Sequence, residues 1–169
     1  MLRPNDKVPN LEVPLINDTR WSLEAQESEK FTMLVFYRGL HCPICKKYLE
    51  ELATRLDEFE KRGVHLIAIS GDTEEKAKKA GKDWNIKELP VGYNLAEETA
   101  REWGLFISKG ISDKEPDVFS EPALFLLRPD RSLYASAIQN MPFARPHWED
   151  ILNAMDFVDN NEYPARGGA

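Results

Sequence analysis

The stretch "FTMLVFYR" at 31–38 is a near-continuous apolar run between polar neighbours. It is too short for a buried helix and rich in aromatic and β-branched residues, so it predicts a strand covered on both faces. From Cys42 the period changes: Cys45, Leu49, Leu52, Leu56 and Phe59 recur at steps of four and three, one apolar stripe of a helix predicted to reach about Gly63. "VHLIAIS" (64–70) repeats the buried-strand signature, and "GDTEEKAKKAGKDW" then opens a helix with Asp72 and Glu75 spaced as a capping box. "LPVGYN" predicts a short strand, and "NLAEETAREWG" a helix with Asn94 and Glu97 as cap pair and Gly104 at its end. Residues 105–121 lack a clear period and read as a long loop. "PALFLLRPDRSLYASAIQ" predicts two strands around the turn "RPDR". "RPHWEDILNAMDFV" predicts a last helix, with Pro146 in its first turn and Trp148, Ile151, Leu152 and Met155 on its apolar face. Ahead of all these, "NDKVPNLEVPLINDTRWSLEAQ" sets short apolar pieces between Pro, Asn and Asp, the pattern of a small hairpin.

The order β-α-β-α-β-α-β-β-α describes an α/β sheet with helices on both faces and an antiparallel hairpin at one end. Right-handed crossovers leave few ways to wind it. No repeat, low-complexity tract or linker divides the chain, so residues 1–169 read as one domain ending in a polar tail over 160–169.

Composition narrows the partners. Hydrophobic residues at 42% and charged residues at 30% are ordinary for a soluble globular protein. A formal net charge of −7 argues against nucleic acid and anionic membranes, which need basic surface. No apolar stretch approaches the ~18 residues of a membrane span. "MLRPNDKVPNLEV" lacks a basic-then-apolar leader, so a cytoplasmic location is expected. A Cys-x-x-C pair in a reducing compartment is not expected to be a structural staple.

Both cysteines of the chain lie in "HCPIC", 41–45. Cys42 follows a buried strand and begins a helix, where unpaired N–H groups and the positive dipole end favour a thiolate. Thiols so placed fall from about 8.5 to roughly 3.5–7.5 in pKa. Cys45 lies one turn further in, on the stripe of Leu49 and Leu52. One sulfur is therefore expected to be exposed and attacking, the other shielded and resolving. Pro43 stiffens the turn without sacrificing a hydrogen bond. Two cysteines cannot close a zinc site alone, and nothing in the strand order brings His65 or His147 towards His41. No metal and no cofactor are expected.

With the strand, the Cys-x-x-C helix start and "SEPALFLLRPDRSL" aligned, the sequence resembles the thioredoxin superfamily, specifically its AhpC/TSA, or peroxiredoxin-like, branch. The resemblance covers nearly the whole chain. "NDKVPNLEVPLINDTRWSL" is similar to that branch's N-terminal hairpin, and "PFARPHWEDILNAMDFVDNNEYPARG" to the ending of peroxiredoxin-like bacterial proteins. It implies a thioredoxin fold, a central mixed sheet flanked by helices, with a peroxiredoxin-like N-terminal hairpin extension. It also implies an oxidoreductase with an antioxidant role. Pro122 stands where thioredoxin-like proteins keep a cis-proline facing the cysteines. A cis Glu121–Pro122 bond would leave the preceding backbone free for a substrate peptide.

The departures from the family pattern shape the functional reading. Peroxiredoxins resemble Pro-x-x-x-Thr-x-x-Cys around the attacking cysteine; counting back from Cys42 finds Gly39 and Val35, and from Cys45 finds Cys42 and Arg38. Glu121–Pro122 occupies the place of the family's arginine ahead of the later strand. Glu121 reads either as a proton acceptor for the sulfurs or as a solvated loop acid. His41 reads either as a charged neighbour tuning Cys42 or as a partly exposed loop residue. Arg38 and Arg145 read either as contacts for an anion near the site or, more ordinarily, as surface ion-pair partners.

Thiol–disulfide exchange on a protein substrate is accordingly the first reading: Cys42 attacks, Cys45 resolves, Pro122 shapes the groove, and an external dithiol reductant of thioredoxin or glutathione type restores the pair. The alternative is a thiol-dependent peroxidase, with peroxide oxidising Cys42 to a sulfenic acid and Cys45 closing the disulfide. A third reading is a non-catalytic redox sensor or binding module that uses 105–121 as its contact surface. Peroxiredoxin-like proteins often dimerise, so a homodimer is compatible with the resemblance.

Overall fold

In the computed structural model, which describes residues 1–169, the chain opens with a hairpin of β1 (Glu12–Pro14) and β2 (Arg20–Ser22), Val13 facing Trp21. Next come β3 (Phe31–Phe36), α1 (Pro43–Ala53), α2 (Leu56–Glu60), β4 (Val64–Ile69) and α3 (Glu74–Asp83). β5 (Val91–Gly92), α4 (Glu97–Glu102), β6 (Ile107–Lys109) and β7 (Val118–Ser120) follow. β8 (Ala123–Leu127), β9 (Leu133–Ile138) and α5 (Trp148–Asn161) complete the chain.

The central sheet has the order β5-β4-β3-β8-β9. β3 runs parallel to β4 and antiparallel to β8, so the sheet is mixed. All of β3 is buried, as its apolar run requires, and its alternation serves two cores. Met33 and Val35 join Leu49 and Leu52 of α1, Phe59 of α2, and Trp148, Leu152 and Met155 of α5; both cysteines sit in this core. Leu34 and Phe36 join Val13 and Trp21 of the hairpin and Trp103 after α4 on the opposite face. Trp103 is fully buried, its ring edge-on to Phe125 at 5.3 Å. Each such side chain contributes roughly 1.5–3 kcal/mol by burial. No helix is long and apolar enough to cross a membrane.

Several local expectations are corrected. The helix predicted to reach Gly63 is two helices, because Thr54 ends the first by turning its hydroxyl back onto the Glu51 carbonyl at 2.7 Å. The stripe survives the break, since periodicity records which residues are buried rather than which carbonyls are bonded. Thr73, not Asp72, caps α3, accepting from the Lys76 N–H. α4 starts from Ala96 with no side-chain cap, so Asn94 and Glu97 form no cap pair. Residues 105–121 are not one long loop: β6 and β7 pair antiparallel there, too short to show alternation in sequence. Pro146 precedes α5 rather than entering it, with His147 at the cap, and the helix extends to Asn161, one residue past the start of the expected tail.

Candidate active site

β3 delivers the chain to a short turn, Tyr37–His41, that leads into α1. Gly39 holds φ at +127°, a region that L side chains rarely adopt, and a Cβ there would lie 2.5 Å from Asp72 Oδ1. The other oxygen of Asp72 accepts the Leu40 N–H at 2.8 Å, so a buried carboxylate one strand away fixes the turn before the cysteines. Burial pushes the Asp72 carboxyl above its usual range, partly offset by that hydrogen bond.

Cys42 is the N-cap of α1; its sulfur accepts the Cys45 N–H at 3.2 Å, and Pro43 occupies the first helical position without leaving a donor unpaired. Cys42 and Cys45 are joined as a disulfide, with Cα atoms 5.2 Å apart. In this oxidised form neither is exposed: Cys42 shows 1% of its surface and Cys45 none. That corrects the expectation of one open and one shielded sulfur.

The cover is Arg145. Its Nη2 lies 3.0 Å from Cys45 Sγ and 3.9 Å from Cys42 Sγ. Its Nε donates to the Pro142 carbonyl, and its guanidinium sits 5.1 Å from the centre of the Tyr48 ring. Tyr48 in turn stacks on Trp148 at 4.2 Å, and the Trp148 Nε1–H donates to the Tyr48 carbonyl. The packing of α1 on the start of α5 therefore holds Arg145 over the sulfurs. Burial lowers its pKa to about 10, which leaves it charged at neutral pH. Of its two sequence readings the surface ion pair fails, and Arg145 lies at the site instead. No periodic signal near position 145 places it at the sulfurs; Tyr48, three residues past Cys45, is the aromatic that carries its charge.

Arg38 belongs to a second cluster. It lies between Glu121 Oε2 at 3.3 Å and Glu115 Oε1 at 3.6 Å, over the Phe119 ring at 4.5 Å. Glu121 is 4% exposed and also accepts the Ser108 hydroxyl at 2.7 Å. It is a buried carboxylate rather than a solvated loop acid, with Oε1 accepting from Ser108 and Oε2 ion-paired with Arg38. His41 packs edge-on against Phe119 at 4.7 Å. Burial first, then Arg38, push its pKa below the usual imidazole value. Both causes disfavour the charged imidazolium beside Cys42.

Pro122 requires the clearest correction. The Glu121–Pro122 bond is trans, as are all others. The Glu121 N–H already donates to the Phe106 carbonyl at 2.8 Å, and the Pro122 carbonyl accepts from Gln139. The strand edge expected to receive a substrate peptide is occupied by the chain's own segment leading into β6. What remains is a niche of about 10 Å³ among Tyr48, Pro122, Gln139 and Arg145, room for roughly one water-sized group.

The AhpC/TSA family model matches residues 4–136, which takes in the cysteines and the central sheet but for the last two residues of β9, and stops short of Arg145. The chain is 36% identical over 160 residues to the 1-Cys peroxiredoxin PER1 of Arabidopsis thaliana, covering 89% of this chain and 68% of that protein. Peroxiredoxin 6 of Arenicola marina, solved as a cysteine-to-serine mutant, superposes with a TM-score of 0.80 at 19% identity, over 94% of this chain and 74% of the other. A yeast mitochondrial 1-Cys peroxiredoxin superposes with a TM-score of 0.76 at 18% identity, over 96% and 80%. At those identities the two structures speak for the fold. With the family match and the Arabidopsis relative, they lead to one conclusion: the chain belongs to the AhpC/TSA family, a peroxiredoxin-like member of the thioredoxin superfamily.

Proposed function

We propose that this protein is a thiol-dependent peroxidase in which Cys42 attacks the peroxide and Cys45 resolves the product. The observation that carries the reading is Arg145 Nη2 against both sulfurs, at 3.0 and 3.9 Å. Disulfide exchange ranked first in sequence because the family's threonine, replaced by Gly39, and its arginine ahead of β8 are both missing. Arg145 supplies a guanidinium at the sulfurs from a different part of the chain. A donor aimed at developing charge in a water-poor site is worth about 10²–10³ in rate.

The Cys42 thiolate attacks one peroxide oxygen, the O–O bond breaks, and the departing oxygen leaves as alcohol or water after taking a proton. Cys42 is then a sulfenic acid. The Cys45 thiolate attacks that sulfur, expelling hydroxide that is protonated to water, and the disulfide forms. An external thiol returns the pair to the dithiol. The yeast mitochondrial 1-Cys peroxiredoxin resolves its thiol via glutathione and thioredoxin systems, and a reductant of that kind fits here.

The test mixes reduced wild type and Cys45→Ser with hydrogen peroxide, and separately with oxidised glutathione, following thiolate absorbance and mass. Rapid Cys42 sulfenic acid in the variant, outpacing the glutathione mixed disulfide at least tenfold, is the expected result. Sluggish peroxide chemistry with a readily trapped mixed disulfide would return the protein to the exchange reading.

A further inference from the structure

The two sulfurs are served by different donors. Cys42 Sγ caps α1 and takes the backbone N–H of Cys45 at 3.2 Å. Cys45 Sγ lies within the helix, one turn in, and takes its donor from Arg145 at 3.0 Å, 0.9 Å closer than that nitrogen comes to Cys42 Sγ (3.9 − 3.0). Arg38 is committed to two carboxylates, at 3.3 and 3.6 Å. Arg145 instead directs Nε at the Pro142 carbonyl and makes no direct ion pair, with Glu121 and Arg38 near enough to act on its charge in opposite senses, so Nη2 is free to face the sulfurs.

We infer that Arg145 is the catalytic residue of the Cys45 half of the cycle, holding Cys45 as a thiolate when it attacks and receiving it as a thiolate when it leaves. Two steps need that charge. In resolution, the Cys45 thiolate forms the S–S bond to Cys42 while the sulfenic C–S–OH bond breaks between sulfur and oxygen; the hydroxide takes a proton and departs as water. In reduction, an external thiolate bonds to Cys42 Sγ, the S–S bond breaks, and the electron pair goes to Cys45. A second external thiolate then releases Cys42. A lower-pKa leaving thiol departs faster, and a cation within about 4 Å lowers a pKa by about 1–3 units. The resolution step rests on the peroxidase reading. The reduction step is common to peroxidase and exchange enzyme alike, so the assignment and that reading can fail separately.

The test uses single-cysteine proteins. Cys42→Ser keeps a side-chain oxygen to cap α1 and leaves Cys45 alone; Cys45→Ser leaves Cys42 alone. Each is titrated by thiolate absorbance with Arg145 present, with Arg145→Met and with Arg145→Lys. Arg145→Met should raise the Cys45 pKa by at least about one unit, tenfold less thiolate below the pKa, and the Cys42 pKa by less, because the backbone donor remains. Arg145→Lys should recover part of the Cys45 shift. In the two-cysteine protein, Arg145→Met should slow reduction of the disulfide by dithiothreitol about tenfold, with circular dichroism unchanged. A shift larger on Cys42 than on Cys45, or a reduction rate unmoved by the substitution, overturns the assignment. A Cys45 shift in a protein that ignores peroxide would uphold it and defeat the peroxidase reading instead.

Discussion

Tyr48 carries Arg145 at two points: its ring lies 5.1 Å beneath the guanidinium, and its hydroxyl donates to the Pro146 carbonyl, one residue on, at 2.7 Å. Burial pushes the Tyr48 pKa up, so the hydroxyl stays a donor over the working range of pH. Replacing the ring and replacing the hydroxyl are therefore separable. Tyr48→Phe keeps the platform and leaves one carbonyl short of a partner, a cost of about 1 kcal/mol. Tyr48→Ala frees the guanidinium, and its disulfide should form at least tenfold more slowly after a peroxide pulse than that of Tyr48→Phe. Stopped-flow with mass analysis of quenched samples reads both, and equal rates would remove Tyr48 from any positioning role.

Gly39 bears on the same site from the other side. A Cβ there meets Asp72 Oδ1 at 2.5 Å, and φ of +127° is unfavourable for any L side chain. Gly39→Ala should cost roughly 1–3 kcal/mol from backbone strain alone, more if the bond from Leu40 to Asp72 is lost. Urea unfolding of the oxidised protein measures it. A loss under half a kilocalorie per mole would show that the turn can relax and that Asp72 does not hold it.

The Asp72 carboxyl gives a pH signature. Its folded pKa is raised by burial above the ordinary value of 3.8, so the native state holds this proton more tightly than the unfolded chain. Its contribution to stability is full below the unfolded pKa and is lost as pH rises through the folded one. Asp72→Asn keeps an acceptor for Leu40 and does not titrate. The stability of wild type relative to Asp72→Asn should therefore fall as pH rises from about 4 through the raised pKa. Melting temperatures of both proteins across that window decide it, and parallel curves would contradict the burial argument.

The Arg38–Glu121 pair is nearly enclosed, Arg38 at 17% and Glu121 at 5% side-chain exposure. Glu121→Ala leaves the cation with Glu115 alone and should cost about 3 kcal/mol. The double variant Arg38→Met with Glu121→Leu removes both charges and should recover most of that loss. Chemical denaturation of the two variants gives the comparison, and a double variant no better than the single one would mean that Ser108 and Phe119 depend on the charges for their packing.

The strands at 31–36 and 64–69, the stripe from Cys45 to Phe59 and the start of a helix at the cysteine pair were legible in the residues themselves. Each is a local pattern: alternation and period are set by neighbours a few positions apart, and a sulfur at a helix cap meets the next turn's N–H whatever else surrounds it. The family resemblance was legible for the same reason, since its motifs lie on those elements. The first functional reading looked for the family's threonine three residues before Cys42 and its arginine ahead of β8, and found Gly39 and then Glu121 and Pro122.

Only the tertiary structure decided where the positive charge at the sulfurs comes from. Arg145 lies 100 residues from Cys45 in sequence and reaches it because Trp148 packs α5 against Tyr48 of α1. It likewise turned Asp72 from a cap into an anchor for Leu40, and used Phe106 to close the edge before Pro122. Hydrophobic burial is recorded in sequence as a period, because every residue of an element takes part. A single polar contact between distant segments leaves no period, and is set by which faces the apolar residues bring together.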